Sequence, residues 1–221
     1  MPDFFDRLRA ARAPDWQAYV GHRFVDALGD GALPIAAFRA YLIQDYLFLI
    51  QFARAHALAI VKSRRLADMR AAAKGVAAIL ERELDLHLAY CRSWGLDPDE
   101  VERMPEHRAT LAYTRYVMDV GLSGDLLDLH VALAPCIVGY HEIATGLAVR
   151  PGALDPANPY AAWIAEYAGE VYGEVAAAAR GQLDDLAARL LAPSRFDDVA
   201  EIFGTACRLE ADFWEMGWQA G

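Results

Sequence analysis

Apolar residues recur along most of this chain at i, i+3, i+4 and i+7, the spacing that lays one stripe along an α-helix. No stretch alternates convincingly with period two, and no Asn-Gly hairpin signal interrupts the pattern. The periodicity predicts helices near residues 3–11, 15–28, 35–62, 66–94, 106–121, 124–148, 158–180, 183–191 and 196–218. Breaks are expected at Gly29-Asp30-Gly31 with Pro34, at Gly95 to Pro98, at Gly121 to Gly124, at Pro151 to Pro159 and at Pro193. The longest irregular piece, about Arg150 to Asn158, is ordinary connector length. No Pro- or Ser-rich linker and no internal repeat divides the chain. The expected architecture is therefore all-α, a single domain over residues 1–221 built of about eight or nine helices.

Composition narrows the class. Of 221 residues, 56% are hydrophobic and 24% charged, which excludes a disordered chain. The formal net charge of −10 argues against nucleic acid and against an anionic membrane surface as partners. The N-terminal residues mix charge throughout and show no apolar signal-peptide core. The most apolar run, Tyr41 to Val61, carries Gln44, Asp45, Gln51, Arg54 and His56, groups that a membrane span would leave unsatisfied. Three cysteines make no disulfide framework, so free thiols in a cytoplasmic, reducing compartment are expected.

The chemistry lies in polar residues placed on apolar stripes. Phe38, Tyr41, Leu42, Asp45, Phe48, Leu49 and Phe52 share one face, with a carboxylate at its centre. Phe203, Ala206, Cys207, Glu210, Phe213, Trp214 and Gly217 repeat the device around Glu210. Leu129, Ala132, Leu133, Cys136, Gly139, Tyr140 and Ile143 point Cys136 inward. Tyr113 lines up with Thr110, Tyr116, Val117 and Val120, and Tyr167 with Tyr160, Trp163, Ile164 and Val171. Taken singly, each has a plain reading: a packed thiol, a paired buried carboxylate, a hydrogen-bonded tyrosine. Together they describe an aromatic pocket holding acid/base groups and a nucleophile. Cys91 and Cys207 are read as packing residues.

Pro135 bears on Cys136, because proline cannot bond back to the carbonyl of Val131. If a helix starts there, Cys136 sits in a positive N-terminal field that favours a thiolate; if the helix merely kinks, it does not. Metal binding is the rival constellation. Glu83 and His87 are four apart, and His141-Glu142 are adjacent, but the paired Glu-x-x-His motifs of di-iron bundles are missing. Glu83 with His87 therefore reads as a hydrogen-bonded structural pair, and no metal is expected. His22 alone could serve as an axial haem ligand, although a lone histidine is more often structural.

The run Phe38-Arg39-Ala40-Tyr41-Leu42-Ile43-Gln44-Asp45-Tyr46 resembles the first signature of the TenA/thiaminase II family. Pro135-Cys136 with Tyr140 and Glu142, Trp163-Ile164 with Tyr167, and Leu209-Glu210 with Phe213-Trp214 follow in that family's order over nearly the whole chain. The resemblance implies a haem-oxygenase-like helical fold, a homotetramer, no cofactor, and activity on thiamin or on 4-amino-5-aminomethyl-2-methylpyrimidine. It implies Cys136 as nucleophile, Glu210 as proton donor, Asp45 on the amidine side of the pyrimidine, and Tyr113, Tyr140 and Tyr167 lining and orienting the ring. The family commonly has a tyrosine three residues after this aspartate, credited with activating the cysteine; here that position is Phe48. Either Tyr140 or Tyr113 then supplies the hydrogen bond, or thiol activation is weaker. Two other readings stay open at this point: a non-catalytic pyrimidine-binding or regulatory protein, and a redox member of the same fold using metal, haem or a quinone.

Overall fold

The structure, a computed structural model, describes residues 2–221. The chain runs through α1 (Phe4–Ala11), α2 (Ala13–Val20), α3 (Arg23–Gly29), α4 (Ile35–Lys62), α5 (Leu66–Ala78), α6 (Leu84–Ser93), α7 (Pro98–Glu102), α8 (Arg108–Ser123), α9 (Leu126–Ala134), α10 (Tyr140–Ala148), α11 (Ala161–Ala168), α12 (Glu170–Leu190) and α13 (Phe196–Gln219). A π-helical turn, Ile79–Glu83, joins α5 to α6, and a second, Pro135–Gly139, joins α9 to α10. No strand occurs among the described residues.

The two long helices α4 and α13 pack on each other and form the axis of the fold. Helices α5, α6, α8 and α9 pack around α4, while α2, α3, α8 and α9 pack around α13. The faces they share bury Phe38, Tyr41, Leu42, Phe48, Phe203, Phe213 and Trp214 in one continuous core. The segment Leu126–Ala148 is apolar and long enough to cross a membrane, but 67% of its most apolar window is buried inside this fold. Its start is tied down by an Asp125/Asp128 capping box, and Arg195 pairs with both carboxylates at 2.7 Å.

Several boundaries differ from the sequence expectation. The helix expected over 15–28 splits because the His22 ring accepts the Phe24 amide and caps a new helix. His22 also faces Glu215 at 3.3 Å, so both ring nitrogens have structural partners. The helix expected over 158–180 breaks instead at extended Gly169, and α12 runs on through Gly181 to Leu190. A helical glycine costs about 1 kcal/mol, and the buried Leu183 and Leu186 just beyond it offset that. Val171 accordingly leaves the face of Tyr167 and is exposed.

The segment expected over 124–148 does not restart at Pro135. It continues through a π turn, which absorbs the missing amide by widening the hydrogen-bond ladder locally. The Tyr19 hydroxyl donates to the Pro135 carbonyl at 3.3 Å. Gly139 allows that approach, since a Cβ there would clash with the Tyr19 ring.

Candidate active site

The inward carboxylates sit where the stripes placed them. On α4, Asp45 is 3% exposed, and on α13, Glu210 is 2% exposed. A buried carboxylate is costly unless it is neutralised or hydrogen-bonded, and the two meet this demand differently.

Asp45 is held by a network. Its Oδ2 accepts from the Tyr41 hydroxyl at 3.0 Å and lies 2.7 Å from His87 Nε2. Burial lowers the proton affinity of His87, but the hydrogen bond and charge of Asp45 outweigh it and leave the imidazole's pKa raised. The other ring nitrogen faces the Glu83 carbonyl at 2.7 Å, which fixes the ring orientation. The Glu83–His87 pair expected from spacing thus runs through the backbone of Glu83, not its carboxyl. Trp163 Nε1 donates to the Tyr41 oxygen at 3.3 Å, and the Tyr140 hydroxyl lies 3.4 Å from it. Tyr167 packs on Tyr140 with ring centroids 5.1 Å apart and on Trp163 at 4.7 Å.

Among the described residues no cation pairs with Glu210. It accepts a hydrogen bond from the Tyr113 hydroxyl at 2.9 Å. Burial pushes its carboxyl up to about 8, against the lowering effect of that hydrogen bond and with a further push from Asp45. The side chain is thus a proton-holding acid near neutral pH.

Cys136 is buried in the Pro135–Gly139 π turn, in the middle of the Leu126–Ala148 segment and far from any helix start. The positive-field alternative considered for the sequence therefore does not apply. Burial pushes the thiol well above its usual range, and the charges of Glu210, Asp45 and Glu83 push it further. Cys136 and Glu210 lie close enough for each to shift the other's proton affinity. A thiol in this setting keeps its proton, and could act as a nucleophile only once a neighbouring group removes it.

Phe48 packs its ring against Tyr113 at 4.9 Å and Phe213 at 5.7 Å, so it forms wall beside the Tyr113–Glu210 pair. Tyr113 directs its hydroxyl to Glu210, and Tyr140 faces Tyr41. Neither supplies the hydrogen bond that a tyrosine at position 48 would offer the thiol. Glu210 is the group adjoining the sulfur.

Seven sequence-designated residues, Asp45, Phe48, Tyr113, Cys136, Tyr140, Tyr167 and Glu210, thus form one cluster drawn from α4, α8, the π turn, α10, α11 and α13. Sequence reasoning missed the hydrogen-bonding roles of Tyr41, Trp163 and Tyr19, and gave His87 a bond to Glu83 but not the one to Asp45. Each lies on an apolar stripe, and the stripe was the available signal. His141 and Glu142 face elsewhere: His141 Nδ1 lies 2.8 Å from the Tyr167 carbonyl, and Glu142 pairs with Arg9 at 3.0 Å and accepts from Trp16 at 3.2 Å. Among the described residues no three His, Cys, Asp or Glu side chains gather as a metal site.

The arrangement has counterparts. Residues 9–220 match the TENA/THI-4/PQQC family. A protein of Halalkalibacterium halodurans named aminopyrimidine aminohydrolase is 39% identical over 206 residues, 93% of this chain and 91% of that protein. A solved structure from Silicibacter sp. TM1040, described as a TenA family transcription regulator, is 42% identical with TM-score 0.91, covering 97% of this chain and 96% of that one. A Shewanella denitrificans domain of unknown function with a heme oxygenase-like fold is 16% identical with TM-score 0.73, covering 97% and 92%, a likeness of fold alone. With the match running almost from end to end, this chain belongs to the TENA/THI-4/PQQC family and has its haem-oxygenase-like helical fold.

Proposed function

We propose that the protein is a hydrolase of thiamin-related pyrimidines, converting 4-amino-5-aminomethyl-2-methylpyrimidine to the hydroxymethyl pyrimidine and ammonia, and cleaving thiamin by the same route. The observation that carries this reading is the pairing of Cys136 with Glu210, a carboxyl held up to about 8, inside an aromatic pocket that also holds the Asp45–His87 pair. Relatives named aminopyrimidine aminohydrolase support it.

The steps follow from the groups. Asp45 holds the amidine edge of the ring, with Tyr140 and Tyr167 against its face. Glu210 gives its proton to a ring nitrogen and takes the thiol proton of Cys136, while the sulfur bonds the ring carbon beside the one bearing the aminomethyl group. The displaced electron pair expels the protonated amine as ammonia, breaking the exocyclic C–N bond and leaving a methylene. Water adds to that methylene and loses one proton. The C–S bond then breaks, aromaticity returns, and the ring nitrogen's proton passes back through Glu210 to the sulfur. One water is consumed and one ammonia released.

Ammonia release from the aminomethyl-pyrimidine, without added metal, tests the reading. Cys136→Ala should abolish turnover while the pyrimidine still binds. Full activity in that variant overturns the covalent route. Binding without turnover in the unaltered protein would favour the regulatory reading, which Phe48 and the description of the Silicibacter relative support. Coloured or metal-loaded protein would favour the redox one. The proposal extends to a cytoplasmic homotetramer, for which exposed Leu66, Met69 and Leu80 offer apolar surface. Light scattering reads the mass.

A further inference from the structure

A small cleft, with a cavity volume of about 30 Å³, lies beside the buried cluster, between the α5–α6 segment and α11–α12, with Arg82, Glu83, Glu166, Tyr167 and Tyr172 on its walls. Tyr167 belongs to the pyrimidine pocket as well, so the cleft adjoins the site. Arg82 Nε and Nη2 both donate to Glu166 Oε1, at 3.2 and 3.0 Å, across the rim. That arginine is therefore engaged. Among the described residues no hydrogen bond or ion pair reaches the carboxylate of its neighbour Glu83.

Glu83 is also tied to the buried cluster. Its backbone carbonyl positions His87, which holds Asp45, and its charge is felt by Cys136, Tyr167 and Tyr172. Burial pushes its carboxyl up to about 7; His87 counters, Asp45 and Glu166 add to the rise, and Arg82 opposes it. An arriving cation would supply the counter-charge that this position lacks.

A primary aminomethyl group is an ammonium at neutral pH, with three N–H donors and no acceptor. When the ring edge takes Asp45 and the ring proton takes Glu210, the ammonium needs a third carboxylate. We infer that Glu83 is the residue that binds the substrate's exocyclic ammonium, so that the cleft favours the aminomethyl-pyrimidine over thiamin, whose leaving group is a bulkier thiazolium without N–H donors. The inference rests on the pyrimidine-hydrolase reading and adds the origin of its selectivity. By stabilising the protonated amine, Glu83 also holds the leaving group in the form that departs as neutral ammonia.

The test compares wild type, Glu83→Gln and Glu83→Asp in calorimetric binding and steady-state kinetics. The compounds are the aminomethyl-pyrimidine, its neutral N-acetyl derivative and the hydroxymethyl product. Wild type should prefer the amine to the N-acetyl compound, and Glu83→Gln should lose that preference. Its KM for the amine should rise about tenfold, a loss typical of one charge-assisted contact. Product affinity should be unmoved, and Glu83→Asp should recover part of the preference. An unchanged amine preference in Glu83→Gln overturns the inference, as does a parallel fall in product affinity, the mark of a merely structural role. If the wild type binds but releases no ammonia, the hydrolase reading fails by itself, while the binding preference still decides the role of Glu83.

Discussion

The Tyr113 hydroxyl donates to Glu210 across 2.9 Å, and it is the hydrogen bond that restrains a carboxyl whose burial alone would drive it higher still. The pair couples α8 to α13 at the point where both face Cys136. In the proposed reaction Glu210 begins protonated, so Tyr113 would tune the upper edge of the working pH range.

Tyr113→Phe removes that restraint. The alkaline limb of kcat should lie near the Glu210 value of about 8 in the wild type and move to higher pH in the variant. Below the limb the rate should drop up to about tenfold, as expected for losing one hydrogen bond. A pH–rate profile checks both. A limb that stays in place would show that Tyr113 does not act on Glu210.

Glu210 also sets a pH dependence of stability. Its carboxyl moves from an ordinary 4.5 to about 8 on folding, so between these values the folded state holds a proton that the unfolded state has released. The stabilising contribution is complete below 4.5 and lost as pH rises through about 8. Across the window one such group costs about 1.4 kcal/mol per pH unit. Urea midpoints at several pH values should fall less steeply in Glu210→Gln than in the wild type. Equal slopes would place the titration elsewhere.

Phe48→Tyr would add a hydroxyl to the pocket wall that packs against Tyr113. If it reaches the sulfur, turnover should rise several-fold with little change in Tm, because the new polar group is satisfied. If it finds no partner, burying it should cost about 1–3 kcal/mol and lower Tm without a rate gain. Kinetics and thermal melting on the same preparation separate these outcomes; an unchanged or lower rate would mean that Glu210 already suffices.

Much of this site was legible because helical spacing is a strong signal over long elements. Asp45 and Glu210 could be read as inward because α4 and α13 carry uninterrupted stripes, and both residues are buried. The partners were harder to see. His87 shares a face with Leu84 and Cys91, but nothing in one helix indicates that its ring meets Asp45, 42 positions away. The surroundings of Cys136 were not legible either, since a proline permits a helix start, a kink or a π turn, and tertiary contacts choose among them. The shift of a helix break from 181–182 to Gly169 has the same cause: local propensity is weak beside burial of Leu183 and Leu186.

Those tertiary contacts are testable at Gly139. A methyl group there would clash with the Tyr19 ring, and Tyr19 is wedged between Trp16 and Trp214 with centroids 5.6 and 6.3 Å away. The ring cannot retreat, so Gly139→Ala should strain the π turn and lower stability by about 1–3 kcal/mol, as for other overpacked cores. It should also displace Cys136, three residues earlier in the same turn, and reduce kcat more than it raises KM. Tyr19→Leu removes the clash but also the hydroxyl that binds the Pro135 carbonyl. The double variant should therefore regain stability relative to Gly139→Ala while keeping part of the rate defect. Denaturant midpoints and kcat for the two single variants and the double variant read the coupling. Additive effects would show that Tyr19 does not hold the turn through its contact with Gly139.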